Sequence, residues 1–110
     1  MANSGLPDIL TERSGEVNHL CRKYNVSALF VFGSAVTGRF SESSDLDFLV
    51  TFNPDLSATS AAESYFGLKE ELESLFCRPV DLVSTATLKN PYFRDSVMEE
   101  RRPLYAASTH

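Results

Sequence analysis

The stretch FGSAVTGRFSESSDLDFLV, residues 32–50, decides how the rest of the chain is read. It opens on a Gly-Ser pair, Gly33 and Ser34. After ten intervening residues it reaches two aspartates separated by a single residue, Asp45 and Asp47. Residues 28–32 and 48–52 are apolar runs rich in β-branched and aromatic side chains. Both are too short for ordinary helices and read as strands.

The spacing carries chemistry. In a strand over residues 45–52, positions i and i+2 share a face, which sets the Cα atoms of Asp45 and Asp47 about 6.5–7 Å apart. Two carboxylates aimed at one place repel unless a cation lies between them. Oxygen-only ligands suit Mg²⁺, which takes one or two carboxylates together with substrate phosphates. A glycine at a strand end lets backbone approach a ligand closely. A serine at a following helix start offers a hydroxyl and free N–H groups to phosphate. The competing interpretation of the aspartates is a solvated strand opening. It sits poorly with Asp47 between Leu46 and Phe48, because a buried charge needs a partner or a metal. Asp81, in PVDLV at residues 79–83, is another acid inside an apolar run. Its bland readings are an edge-strand acid or an arginine's ion-pair partner.

Working outward, residues 8–24 read as a helix, with Val17, Leu20, Cys21 and Tyr24 at helical spacing. Gly15 weakens its middle by about 1 kcal/mol, so Ser14 is an alternative start. Residues 26–32 form a strand whose nearly continuous apolar character suits a central position. Residues 34–37 form a short helix stopped at Gly38, followed by a Ser-rich loop over 39–44. Asn53-Pro54 ends the second strand. Residues 60–76 read as an amphipathic helix, with Tyr65, Leu68, Leu72, Leu75 and Phe76 inward and Lys69, Glu70, Glu71 and Glu73 toward water. A third strand follows at 80–84, then a helix at 88–98 with Pro91 in its first turn, then a short edge strand at 103–106. This order implies a sheet with helices against it, and it leaves open whether the sheet is mixed or wholly parallel. Residues 1–6 and 107–110 are expected to be loose.

Length bounds the rest. One hundred and ten residues make one domain, 1–110. No apolar run approaches the ~18 residues of a membrane span, and residues 1–10 lack a signal-peptide pattern, so a cytoplasmic location is expected. The formal net charge of −5 disfavours an extended nucleic-acid surface, which calls for a basic patch. Cys21 and Cys77 are far apart and read as two buried, inert thiols. His19 reads as a surface residue.

The motif resembles the signature G-S-x10-D-x-D of the nucleotidyltransferase superfamily that includes DNA polymerase β. More closely, the FGS, Gly38, SDLDFLV and later VDLV segments resemble the minimal nucleotidyltransferase (MNT) domain, often the antitoxin partner of HEPN-domain toxins. The resemblance covers about residues 20–105. It implies an α/β (α+β) fold with a small mixed, polymerase-β-like sheet flanked by helices. It implies Asp45, Asp47 and Asp81 as catalytic and metal-ligating acids, Mg²⁺ in two ions, and ATP as substrate. Gly33 and Ser34 would cradle the phosphates. Related domains often carry arginines where this chain has Ala35 and Thr37, which leaves Arg39 as the candidate substitute. The implied activity is transfer of AMP to a tyrosine hydroxyl of a HEPN toxin. An antitoxin that neutralises by binding alone, and transfer to a small antibiotic-type molecule, are the alternatives.

Overall fold

The computed structural model describes residues 6–38, 41 and 44–107. Ten elements follow in order. Helices α1 (Asp8–Glu12) and α2 (Ser14–Lys23) lead into β1 (Val26–Phe32) and α3 (Ser34–Thr37). Then come β2 (Leu46–Phe52), α4 (Ala58–Phe76), β3 (Val80–Ser84), a single 3-10 turn (Thr85–Thr87), α5 (Pro91–Glu100) and β4 (Arg102–Ala106). The strands form one sheet of order β3-β2-β1-β4. β1 pairs antiparallel with both β2 and β4, whereas β2 and β3 are parallel. The sheet is therefore mixed, and β1 is an inner strand, as its nearly continuous apolar sequence implied.

The two faces of the sheet are covered unequally. On one side α2 and α4 bury Leu29, Val31, Leu46, Phe48, Val50 and Leu82 against Leu20, Cys21, Leu68 and Leu72. On the other, α5 closes a smaller cluster of Phe32, Leu49, Leu88 and Val97. Phe48 is the largest side chain with no exposure; truncating a phenylalanine so placed costs about 3–5 kcal/mol. Helix α4 starts at Ala58 because the Ser57 hydroxyl accepts the Ser60 N–H at 3.1 Å, one of the donors a helix start leaves unsatisfied. Gly67 sits mid-helix because the Tyr24 ring lies where a Cβ would go.

Several expectations are corrected. The first helix is two: Arg13 interrupts it, and the second begins at Ser14. The last helix spans Pro91–Glu100 instead of starting at Leu88. A residue before proline is pushed out of the α region, and Asn90 caps the helix by accepting the Tyr92 and Phe93 N–H groups. Cys77 is exposed, not buried. It ends α4 in the left-handed conformation at φ 54°, beyond the buried stripe. Cys21 is fully buried, and burial pushes its thiol up to about 12. Two acids of α4 do not simply face water. Glu71 pairs with Lys23 at 2.7 Å and accepts the Tyr24 hydroxyl, while Glu73 accepts from Lys69 and from the Val80 N–H. His19 is exposed, as expected. Leu6 packs against the core and the Ala107 N–H bonds Ser27 O at 2.9 Å. Among the described residues no helix is long and apolar enough to cross a membrane.

Candidate active site

Three residues in a row mark the site. Phe32 of β1 is the cross-strand partner of Asp47 of β2, and Asp47 is the register partner of Asp81 of β3. Side chains of residues directly opposite each other leave the same face of a sheet, and neighbouring strands lie about 4.8 Å apart. The two carboxylates are therefore neighbours by construction. Alternation explains the placement: Leu46 and Phe48, and likewise Val80 and Leu82, turn into the core, so the acids between them turn to the other face.

Asp45 is exposed and lies one residue outside the strand, which begins at Leu46. The expectation that it opens β2 is thus corrected by one residue. Its position is still fixed. The Leu46 N–H bonds Pro79 O at 3.1 Å, and Arg78 Nη1 donates to Ser41 O at 3.2 Å and Ser44 O at 3.0 Å. The segment before β3 thus holds the segment before β2. Glu73, through the Val80 N–H at 3.1 Å, anchors the start of β3 beside Asp81.

Gly33 turns the chain at φ 76°, ψ −145°, a combination close to glycine-only. A Cβ built there would fall on Oδ2 of Asp47. The turn and the acid are thus in direct opposition, with room for backbone and nothing more. Ser34 opens α3, whose Val36 and Thr37 N–H groups return to Gly33 O. Ala35 is buried, and the Gly38 backbone is left-handed. Arg39 lies outside the described residues.

A fourth acid was not foreseen. Glu100, at the end of α5, accepts the Gly33 N–H through Oε1 at 3.3 Å. Asp47 feels the whole group. Burial, then the charges of Asp81, Asp45 and Glu100, push its carboxyl up to about 6 from 3.8. Among the described residues no group of three or more His, Cys, Asp or Glu side chains is placed to hold a metal ion. Nothing in the EERR segment around Glu100 distinguishes it from a solvated helix end; only the path of α5 brings it to Gly33.

The chain is similar to known proteins over most of its length. A protein adenylyltransferase of Thermococcus cleftensis, MntA, is 36% identical over 90 residues, covering 82% of this chain and 87% of that protein. A solved structure provisionally described as a minimal nucleotidyltransferase superposes with a TM-score of 0.68 at 35% identity, covering 87% of this chain and 93% of that one. A chain from the complex of a tri-AMPylated Shewanella oneidensis HEPN toxin with MNT antitoxin shares the fold at a TM-score of 0.62 and 18% identity. It covers 89% of this chain and 73% of that one. The family model described as nucleotidyltransferase domain matches residues 17–104. That span takes in all three carboxylate positions, the Gly33 turn and the helix that brings Glu100 to it, and the chain belongs to the nucleotidyltransferase domain family.

Proposed function

We propose that this chain is a Mg²⁺-dependent protein adenylyltransferase acting as an antitoxin, moving AMP from ATP to a tyrosine hydroxyl of a HEPN-type toxin. The observation that carries the proposal is the register match of Asp47 with Asp81, with Asp47 set against the Gly33 turn. The names of the relatives support a protein acceptor: one is a protein adenylyltransferase, and one complex holds an AMPylated HEPN toxin.

The donor set is oxygen-only, and its middle carboxyl is pushed up to about 6, first by burial and then by the charges of Asp81, Asp45 and Glu100; a divalent cation would relieve the repulsive part. Asp45 and Asp47 would hold two Mg²⁺ ions, with Asp81 on one of them; bound there, the ions neutralise triphosphate charge and lower the pKa of the attacking hydroxyl. Gly33 and Ser34 would lie against the β- and γ-phosphates, with Arg39 as the candidate cationic contact. The tyrosine oxygen attacks the α-phosphorus. An O–P bond forms, the bond to the oxygen bridging the β-phosphorus breaks, and pyrophosphate leaves. Asp81, exposed on the outermost strand, takes the hydroxyl proton, for which it needs to come within about 3 Å. Positioning and charge account for most of such catalysis. The net charge of −5 argues against nucleic acid as the acceptor.

The test is intact-mass spectrometry of a HEPN-type toxin encoded beside this chain, incubated with the chain, ATP and Mg²⁺. Mass additions in whole AMP units are expected, and none with the Asp45→Ala/Asp47→Ala variant. An unmodified toxin in a stable complex would replace transfer with neutralisation by binding.

A further inference from the structure

Beside the acid row stands an aromatic pair that phosphate and metal chemistry leave unused. Phe93, in the first turn of α5, meets Phe32 edge to face, ring centroids 6.1 Å apart at 73°. Phe32 is 5% exposed, whereas Phe93 keeps 44% of its surface open. Phe32 is also the cross-strand partner of Asp47, so the open ring lies two side-chain contacts from the central carboxylate.

Helix α5 is tied at both ends. The Phe93 N–H is held by Asn90 Oδ1 at 3.2 Å, and the far end of α5 is tied to the site through Glu100 and the Gly33 N–H. Phe93 packs on Phe32, whose cross-strand partner is Asp47, so its open surface lies on the acid row's side of the sheet. What comes to an acid row of this kind is a phosphate ester carried by cations, and its uncharged, flat remainder is a base. Aromatic side chains hold bases by their faces with little regard to sequence.

We infer that Phe93, backed by Phe32, is the stacking platform for the nucleobase of the bound nucleoside triphosphate. The inference rests on the nucleotidyltransferase reading and adds to it the residue that grips the base. It gives α5 two tasks: its first turn carries the base platform, and its last residue meets the phosphate turn. A purine, with the larger face, is held better than a pyrimidine.

Calorimetric titration of the full chain with Mg²⁺ and α,β-methylene ATP, which cannot pass on AMP, tests this against Mg²⁺ with inorganic tripolyphosphate. Phe93→Leu keeps an apolar cover on Phe32 and removes the ring. Phe93→Trp keeps a stacking face. Phe66→Ala, an exposed aromatic on α4 paired with Tyr65, is the control. Phe93→Leu should weaken the nucleotide by about five- to a hundredfold, the range that loss of one base stack spans. It should leave tripolyphosphate unchanged, while Phe93→Trp and Phe66→Ala bind like the parent. Equal weakening of both ligands would make Phe93 a structural residue and overturn the inference, as would an unchanged nucleotide affinity. If the parent chain bound neither ligand, the nucleotidyltransferase reading itself would fall, an outcome visible before any variant is compared.

Discussion

Asp47→Asn is expected to stabilise the metal-free protein at neutral pH while abolishing transfer. The Asp47 carboxyl moves from 3.8 to about 6 on folding, first through burial and then through Asp81, Asp45 and Glu100. A rise of roughly two units, at about 1.36 kcal/mol each, is about 3 kcal/mol of penalty on the ionised native state. The side chain is only partly buried, and solvent screening reduces the figure to about 1–2 kcal/mol. The sign follows from linkage. The unfolded chain ionises this group near pH ~3.9, whereas the native protein resists until about 6. Wild-type stability therefore falls as pH rises between those values and stays low above them. Asparagine, of nearly the same shape, carries no charge to penalise. For 110 residues, an unfolding entropy of about 2.1 cal/mol/K per residue converts the gain to roughly 4–8 °C in Tm. Thermal unfolding in EDTA, stepped from about pH 4 to about pH 7.5, reads this directly. The two proteins should melt together at the acid end and separate on the way to neutrality, and added Mg²⁺ should raise the melting temperature of the wild type alone. An asparagine variant that melts no higher at neutral pH, or whose advantage ignores pH, refutes the electrostatic reasoning.

Other substitutions test the scaffold around that carboxylate. Gly33→Ala should cost about 1–3 kcal/mol for its backbone conformation alone and displace Asp47; a denaturant midpoint equal to wild type would contradict the tight opposition of turn and acid. Arg78→Ala removes both contacts that hold the carbonyls of Ser41 and Ser44. It should speed amide exchange at Ser44 and Asp45 and lower kcat with the global fold intact, and unchanged exchange would dismiss the clamp. Tyr65→Phe deletes the hydroxyl that donates to Leu82 O at 2.6 Å, and should cost about 0.5–1.5 kcal/mol by chemical denaturation without touching transfer.

The elements that were legible in the sequence are those whose signal is local. β1, α3 and β3 fall where they were expected, because short apolar runs cut off by Gly33, Gly38 and Pro79 leave little choice of period or boundary. The places of Asp47 and Asp81 in the sheet were legible for a related reason: each sits between apolar neighbours whose alternation turns them into the core. Glu100 was not, because its meeting with Gly33 joins residues 67 positions apart and exists only once α5 has crossed the sheet. Phe93 escaped likewise, since one more aromatic near a proline looks like core until its exposure is known. Cys77 misled for the opposite reason. Cysteine composition predicts burial, whereas its place in the chain is a helix terminus that glycine commonly fills.

β3 ends the sheet, and Asp81 stands on it. An acid on an outermost strand has open country on one side, so a hydroxyl carried by a bulky molecule can come in broadside, with no channel to thread. Such an arrangement trades discrimination by fit for discrimination by mooring. In the proposed transfer, the choice of acceptor would pass from the few atoms around the reacting oxygen to the wider surfaces that hold two macromolecules together. Turnover then depends on how long, and in what orientation, they remain side by side.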